Sequence, residues 1–93
     1  MPDTHQTDDK TAIINRLQRI EGQVRGLQRM MKEGRDGADI LTQMSAVLAA
    51  TRRAAGIITN MHVRQYMEQS EDLQDAEVRS KLQATLDAFS NLG

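Results

Sequence analysis

Between residues 13 and 31 apolar residues recur at Ile13, Leu17, Ile20, Val24, Leu27 and Met31. The steps alternate between four and three, which gathers all six side chains on one narrow face of a helix and which a strand's period of two cannot produce. The spacing predicts a first helix over about 8–33, capped by Thr7 or Asp8, with residues 1–7 as a flexible arm. Gly34-Arg35-Asp36-Gly37 then breaks the pattern: a glycine follows the last periodic residue, and a capping residue follows that. A second helix is predicted over about 38–67, with Ile40, Met44, Val47, Thr51, Ala54, Ile58, Met61 and Gln65 as its seam. Leu41, Leu48 and Ala55 widen that face, and Ala46, Ala49, Ala50 and Gly56 keep the middle of the helix slim. Residues 68–74 are polar and read as a turn before a third, shorter helix over about 74–90, which carries Ala76, Val78, Leu82, Leu86 and Phe89.

These elements predict an all-α fold with three helices per subunit. Each long helix would run roughly 40 Å or more at 1.5 Å per residue. Paired antiparallel through the short break, the two still leave an apolar side uncovered. Two such hairpins related by a twofold axis make a four-helix bundle, so a homodimer is expected, or a homotetramer built as a dimer of dimers. The chain's 93 residues suit one domain, here 8–93, and an aromatic content of 2% requires a core of Leu, Ile, Val, Met and Ala. Without cysteine, the chain has no disulfides, thiolate metal sites or thiol redox chemistry. No signal peptide and no long apolar run are found, and a soluble cytoplasmic protein is expected.

A net charge of −1 argues against a nucleic-acid partner, but its distribution argues otherwise. Residues 11–35 carry six Lys or Arg against two Asp or Glu, a balance of +4, whereas residues 68–93 carry two against six, a balance of −4. On a helical projection Arg16, Arg19 and Gln23 lie along one edge of the first apolar seam, and Arg25, Arg29 and Lys32 along the other. Acidic residues three or four positions away are scarce. The run is either a solvated face or a surface for duplex phosphates, which twofold symmetry would repeat at a fixed spacing. Gly22 and Gly26 lie on the side away from the seam and each costs about 1 kcal/mol relative to alanine. They are either tolerated there or form a smooth strip that another backbone, such as DNA, approaches closely.

Outside this helix, His62 lies on the apolar face of the second helix with Tyr66 one turn further on. It is either a core histidine bonded to a polar neighbour such as Tyr66 or a metal ligand. Further donors are His5 on the arm and the carboxylates of Asp36 and Asp39, which at the start of a helix more commonly cap it and offset its dipole. No phosphate-binding loop, dinucleotide fingerprint or nucleophile–base arrangement is present, so an enzyme is not expected.

The stretch RLQRIEGQVRGLQRMMKEG, followed by ADILTQMSAV and then by His62, resembles the CsoR/RcnR family of bacterial ligand-responsive repressors over roughly Asp9 to Tyr66. The resemblance implies three helices per subunit, dimeric four-helix bundles that usually pair into tetramers, and operator DNA bound by basic surfaces of the first two helices without a helix-turn-helix. It marks Arg16 and Arg19 as DNA contacts, with Gln23 beside them and Arg52 as an addition. It also implies a departure. Copper-sensing members hold Cu(I) with a cysteine, a histidine and a second cysteine, at the positions of Gly37, His62 and Tyr66. Only the histidine is kept here, and soft thiolates are what select Cu(I). Persulfide- and formaldehyde-sensing chemistry likewise needs cysteine. Nickel- and cobalt-sensing members use an arm histidine, where His5 falls, together with the cysteine that Gly37 replaces.

The sequence therefore predicts a non-enzymatic DNA-binding transcriptional repressor with an altered or lost inducer site. If that site holds a metal, His62, His5 and Asp36 or Asp39 would suit Ni(II), Co(II) or Zn(II) rather than Cu(I). The alternative from another class is a helical oligomeric interaction protein that has lost operator binding.

Overall fold

A computed structural model describes residues 4–69 and 75–92, with side chains for 8–68 and 75–92. The described residues form three helices: α1 (Thr4–Lys32), α2 (Gly37–Gln69) and α3 (Ala76–Ser90). The all-α expectation of three helices holds. The start of α1 differs from the sequence reading, since the helix takes in residues 4–7 of the expected arm and Thr7 and Asp8 lie inside it rather than at its cap. Residues 1–3 of that arm, and the side chain of His5, lie outside the described residues.

The stop of α1 is built by glycine. Gly34 has φ of +69°, a left-handed conformation that a Cβ would oppose. It lets the Arg35 N–H donate to the Met30 carbonyl at 3.0 Å and the Gly34 N–H to the Met31 carbonyl at 3.2 Å. This double closure satisfies helix-end carbonyls that would otherwise be orphaned. Arg29 and Lys32 in the last turn add favourable charge at the negative end of the dipole. Beyond the turn α2 begins, with the Asp36 carbonyl accepting its first bond from the Ile40 N–H at 3.1 Å and Asp39 in its first turn. At α3, Asp75 is the cap: its Oδ1 accepts from the Glu77 N–H at 2.9 Å.

The chain divides into two compact units, Met1–Ala54 and Ala55–Gly93. In the first, α1 and the opening half of α2 form a hairpin: Ile20 and Ala50 line one cavity, while Met30 and Gln43, nearer the turn, line another. Ile13, Leu27 and Ala54 are buried. Ile20, Ile40, Val47 and Ala50 are half-buried, as are Arg16, Gln23, Met30 and Gln43. The covered face of α1 is therefore Ile13, Arg16, Ile20, Gln23, Leu27 and Met30. It keeps every seventh residue of the expected seam but replaces Leu17, Val24 and Met31 by their N-terminal neighbours. In α2 the covered set is Ile40, Gln43, Val47, Ala50 and Ala54, displaced in the same way from the expected Met44 and Thr51. The reason is geometric. Each seam is wider than the surface one antiparallel neighbour can cover, so the hairpin takes one flank of it.

In the second unit no residue of α3 is buried, and Val78, Leu82 and Thr85 are half-covered. Leu86 and Phe89 remain exposed. Removing the Leu27 side chain takes a buried apolar group from the hairpin. We expect Leu27→Ala to cost about 2–5 kcal/mol in denaturant unfolding, against less than about 0.5 kcal/mol for a surface change such as Gln28→Ala. Equal midpoints for the two would show that Leu27 is not part of the core.

Candidate nucleic-acid interface

Because the hairpin is turned toward the Arg16–Gln23 flank of α1, that flank becomes concave. Arg19, Gly22, Gln23, Gly26 and Arg29 line an open cleft of about 700 Å³ together with Arg35 and Gln43. A second cavity of about 160 Å³ adjoins it, lined by Arg16, Arg19, Gln23 and Arg53. Arg19 and Gln23 line both. The sequence puts Arg29 on the edge opposite Arg19. In the structure the two share one cleft, because the glycines between them have no side chains to separate them.

Five arginines thus border two joined cavities in which Glu33 is the one carboxylate. Among the described residues the side chains of Arg16, Arg19, Arg29, Arg35 and Arg53 make no ion pair. Arg25 is different. It pairs with Glu21 at 3.0 Å, one turn away, so part of the charge run is neutralised locally. Both side chains of that pair are 66% exposed, and an exposed pair of this kind contributes little to stability. Gln23 Oε1 is buried without a hydrogen-bond partner. As an acceptor, that oxygen is satisfied by a donor such as water or an N–H, and not by a phosphate oxygen. Arg52, expected among the DNA contacts, is exposed on α2, while its neighbour Arg53 is the residue that lines the cavity. Sequence spacing does not group Arg35 and Arg53 with Arg16 and Arg19, since their approach depends on the turn and on how the two helices face each other.

Of the expected metal donors, the side chain of His5 lies outside the described residues. No group of three or more His, Asp and Glu that could hold a metal occurs among the described residues. Asp36 and Asp39 are exposed at the start of α2. Gly37 has nothing within 4 Å of where a Cβ would stand, so the position matched to a copper-binding cysteine has room for a side chain and lacks one. His62 is half-buried, and its Nδ1 lies 2.9 Å from the Ile58 carbonyl in its own helix. A carbonyl only accepts, so Nδ1 carries the proton and Nε2 keeps its lone pair. Tyr66 packs beside it with ring centroids 6.3 Å apart. The helix carbonyl, rather than Tyr66, orients the imidazole. That is how a ligating histidine is commonly held, but among the described residues it belongs to no group of three such donors.

Comparison with known proteins places this arrangement among repressors. The family model described as metal-sensitive transcriptional repressor matches residues 9–91. The copper-sensing transcriptional repressor CsoR of Bacillus subtilis is 55% identical over 47 residues, covering 50% of this chain and 46% of that protein. The copper-sensing transcriptional repressor RicR of Mycobacterium tuberculosis is 44% identical over 57 residues, covering 61% of this chain and 59% of that protein. The chain thus spans about half the length of the curated relatives it matches.

The bond from His62 to its helix carbonyl makes a spectroscopic prediction. At a pH where the imidazole is neutral, long-range ¹H–¹⁵N correlation spectra should show Nδ1 protonated and Nε2 bare. Observation of the Nε2–H tautomer would remove this orientation.

Proposed function

Because the chain belongs to the metal-sensitive transcriptional repressor family, we propose that it represses transcription by binding operator DNA along the basic face of α1. The observation that carries this reading is the joined pair of cavities in which five arginines, none ion-paired among the described residues, meet around Gln23. Such a surface attracts phosphates and releases their counterions. Arg16 and Arg19 contact the duplex, Arg53 extends that surface from α2 with Arg52 beside it, and Gln23 offers an amide able to meet a base edge.

The working unit is a homo-oligomer, a dimer or a pair of dimers. The apolar flank that one hairpin leaves open supports this: Leu17, Val24 and Met44 are exposed, with Leu41 at 65%, Leu48 at 55% and Met31 at 66%. Thr51 on the same flank turns its hydroxyl inward to the Val47 carbonyl at 2.8 Å, satisfying its polar atom within the helix. A contiguous apolar strip of this kind marks an association surface. A second copy of the hairpin matches it in length and spacing.

The inducer site is altered from that of the copper-sensing relatives. With no cysteine in the chain, Cu(I) has no thiolate ligands and does not release the DNA. A metal bound through His62 would need companions from His5 or from another copy, with Asp36 or Asp39 completing a mixed N/O set suited to Ni(II), Co(II) or Zn(II).

Three measurements test these statements. Binding of a duplex taken from upstream of the chain's own gene should weaken in Arg16→Ala and Arg19→Ala, each lowering the log–log salt slope by about 0.9 for every phosphate it no longer neutralises. An unchanged slope in the double variant would move the DNA surface elsewhere, and no preference for that duplex over random DNA would favour an interaction protein that has lost operator binding. Light scattering should show Leu48→Glu as a smaller species than the parent; a parent that is a folded monomer at micromolar concentration excludes the oligomer. Titration of Ni(II), Co(II), Zn(II) and Cu(I) against the preformed complex should show no release by Cu(I), and any response to the others should disappear in His62→Ala.

A further inference from the structure

The smaller of the two cavities has a lining that duplex binding does not call for. It holds about 160 Å³ between α1 and the opening half of α2, among Arg16, Arg19, Ile20, Gln23, Ala50 and Arg53. All six residues belong to the first compact unit. Drug-sized ligands occupy pockets of about 300 Å³ upward, so this one suits a molecule of a few heavy atoms. No carboxylate lines it. The side chains of Arg16, Arg19 and Arg53 make no ion pair among the described residues. Arg16 is half-buried, so its charge is screened less than that of a fully exposed group. Gln23 has its Oε1 buried and makes no hydrogen bond among the described residues, which leaves Nε2 as the accessible end of its amide. The polar part of the lining therefore consists of donors, three guanidiniums and an amide N–H. The rest, Ile20 and Ala50, is apolar and half-buried. Donors on both helices with hydrocarbon between them match a ligand whose two ends are anionic acceptors and whose middle is hydrocarbon. Inorganic phosphate supplies the acceptors but sets charged oxygens against Ile20 and Ala50, where burial of charge is unfavourable.

We propose that this cavity is a site for a short aliphatic dicarboxylate, held by Arg53 at one carboxylate and by Arg16 and Arg19 at the other, with its methylenes against Ile20 and Ala50. Arginine suits this role because its planar fork meets a carboxylate through two parallel hydrogen bonds. Only the consequence of binding rests on the operator reading. Arg16 and Arg19 are the residues proposed to meet the duplex, so a dicarboxylate that occupies them competes with DNA and releases it. A chain without thiolate ligands thereby has an inducer that needs no metal. The competition is direct, at shared arginines, and needs no signal from His62.

The test uses the full chain with succinate as the probe. Calorimetry without DNA compares succinate, butyrate and inorganic phosphate at one ionic strength, held constant with sodium chloride. Succinate should bind about tenfold or more tightly than butyrate, which has the same number of carbons but lacks one set of charge-assisted bonds. It should also bind more tightly than phosphate. Ala50→Leu adds carbons where the ligand sits and should weaken succinate by about tenfold or more, with the parent's melting temperature and duplex affinity kept. Arg53→Lys keeps the charge but loses the fork and should weaken succinate severalfold, which tests the site even where Ala50→Leu does not fold. Equal binding of succinate and butyrate overturns the proposal, as does parent-like succinate affinity in either folded variant. Tighter binding of phosphate than of succinate overturns it too, because the site then serves an inorganic anion. Succinate should also release a fluorescent duplex, taken from upstream of the chain's own gene, from the parent but not from Ala50→Leu, beyond what sodium chloride releases at the same ionic strength. Succinate bound without release overturns the competition. A parent that binds succinate but no duplex removes the operator reading and supports the dicarboxylate site.

Discussion

The structure depends on a mismatch of width: the apolar face of each long helix is broader than a single antiparallel neighbour can cover. Residues at every seventh position, Ile13, Ile20 and Leu27 on α1 and Ile40, Val47 and Ala54 on α2, are covered or half-covered. The positions between them divide. On one flank the hairpin half-covers Arg16, Gln23, Met30 and Gln43; on the other it leaves Leu17, Val24, Met31 and Met44 in solvent. That choice has two consequences. Polar and cationic side chains are drawn to the rim of the hairpin, where they form a cleft, and an apolar strip is left on the opposite flank. The first makes a surface for an anion and the second a surface for another copy.

Electrostatics and packing thus sort to opposite flanks of the same helix. Arginine suits the half-buried rim because its stem packs on apolar surface while the guanidinium reaches water or a phosphate. Clustering Arg16 with four exposed arginines and a single carboxylate is unfavourable for the isolated chain, and an anionic partner relieves it. Leucine and methionine on the other flank have no such outlet and lose their exposure only by association. On the proposed reading, oligomer and DNA surface would be coupled through α1, since each copy would present the same arginines.

The second unit contributes less that can be read as function. His62 is oriented by the Ile58 carbonyl, with one ring nitrogen committed to the helix and the other open. Its neighbour Tyr66 offers an aromatic ring and a phenol at a position matched to a soft sulfur ligand. On the resemblance, Gly37 and Tyr66 stand where copper-sensing members carry cysteines, the donors that favour Cu(I).

The sequence by itself determined the elements. Heptad spacing and a glycine at the end of α1 are local features, decided by bonds within a few residues, so three helices and their boundaries are legible to within a few positions. The sequence also locates the arginine-rich helix and the lack of thiolates, because charge and composition need no geometry. The start of α1 is the exception: helix continues back through residues 4–7, where polar side chains give no periodicity to follow. Only the tertiary structure decided which flank of the seam is covered. That choice depends on how α1 rotates against α2, which no periodicity contains, since Leu17 and Arg16 lie on either side of the same stripe. The same packing sets Arg35 and Arg53 beside the flank of α1 that carries Arg19. Residues distant in sequence become one charged surface through packing, and packing is a property of two helices together.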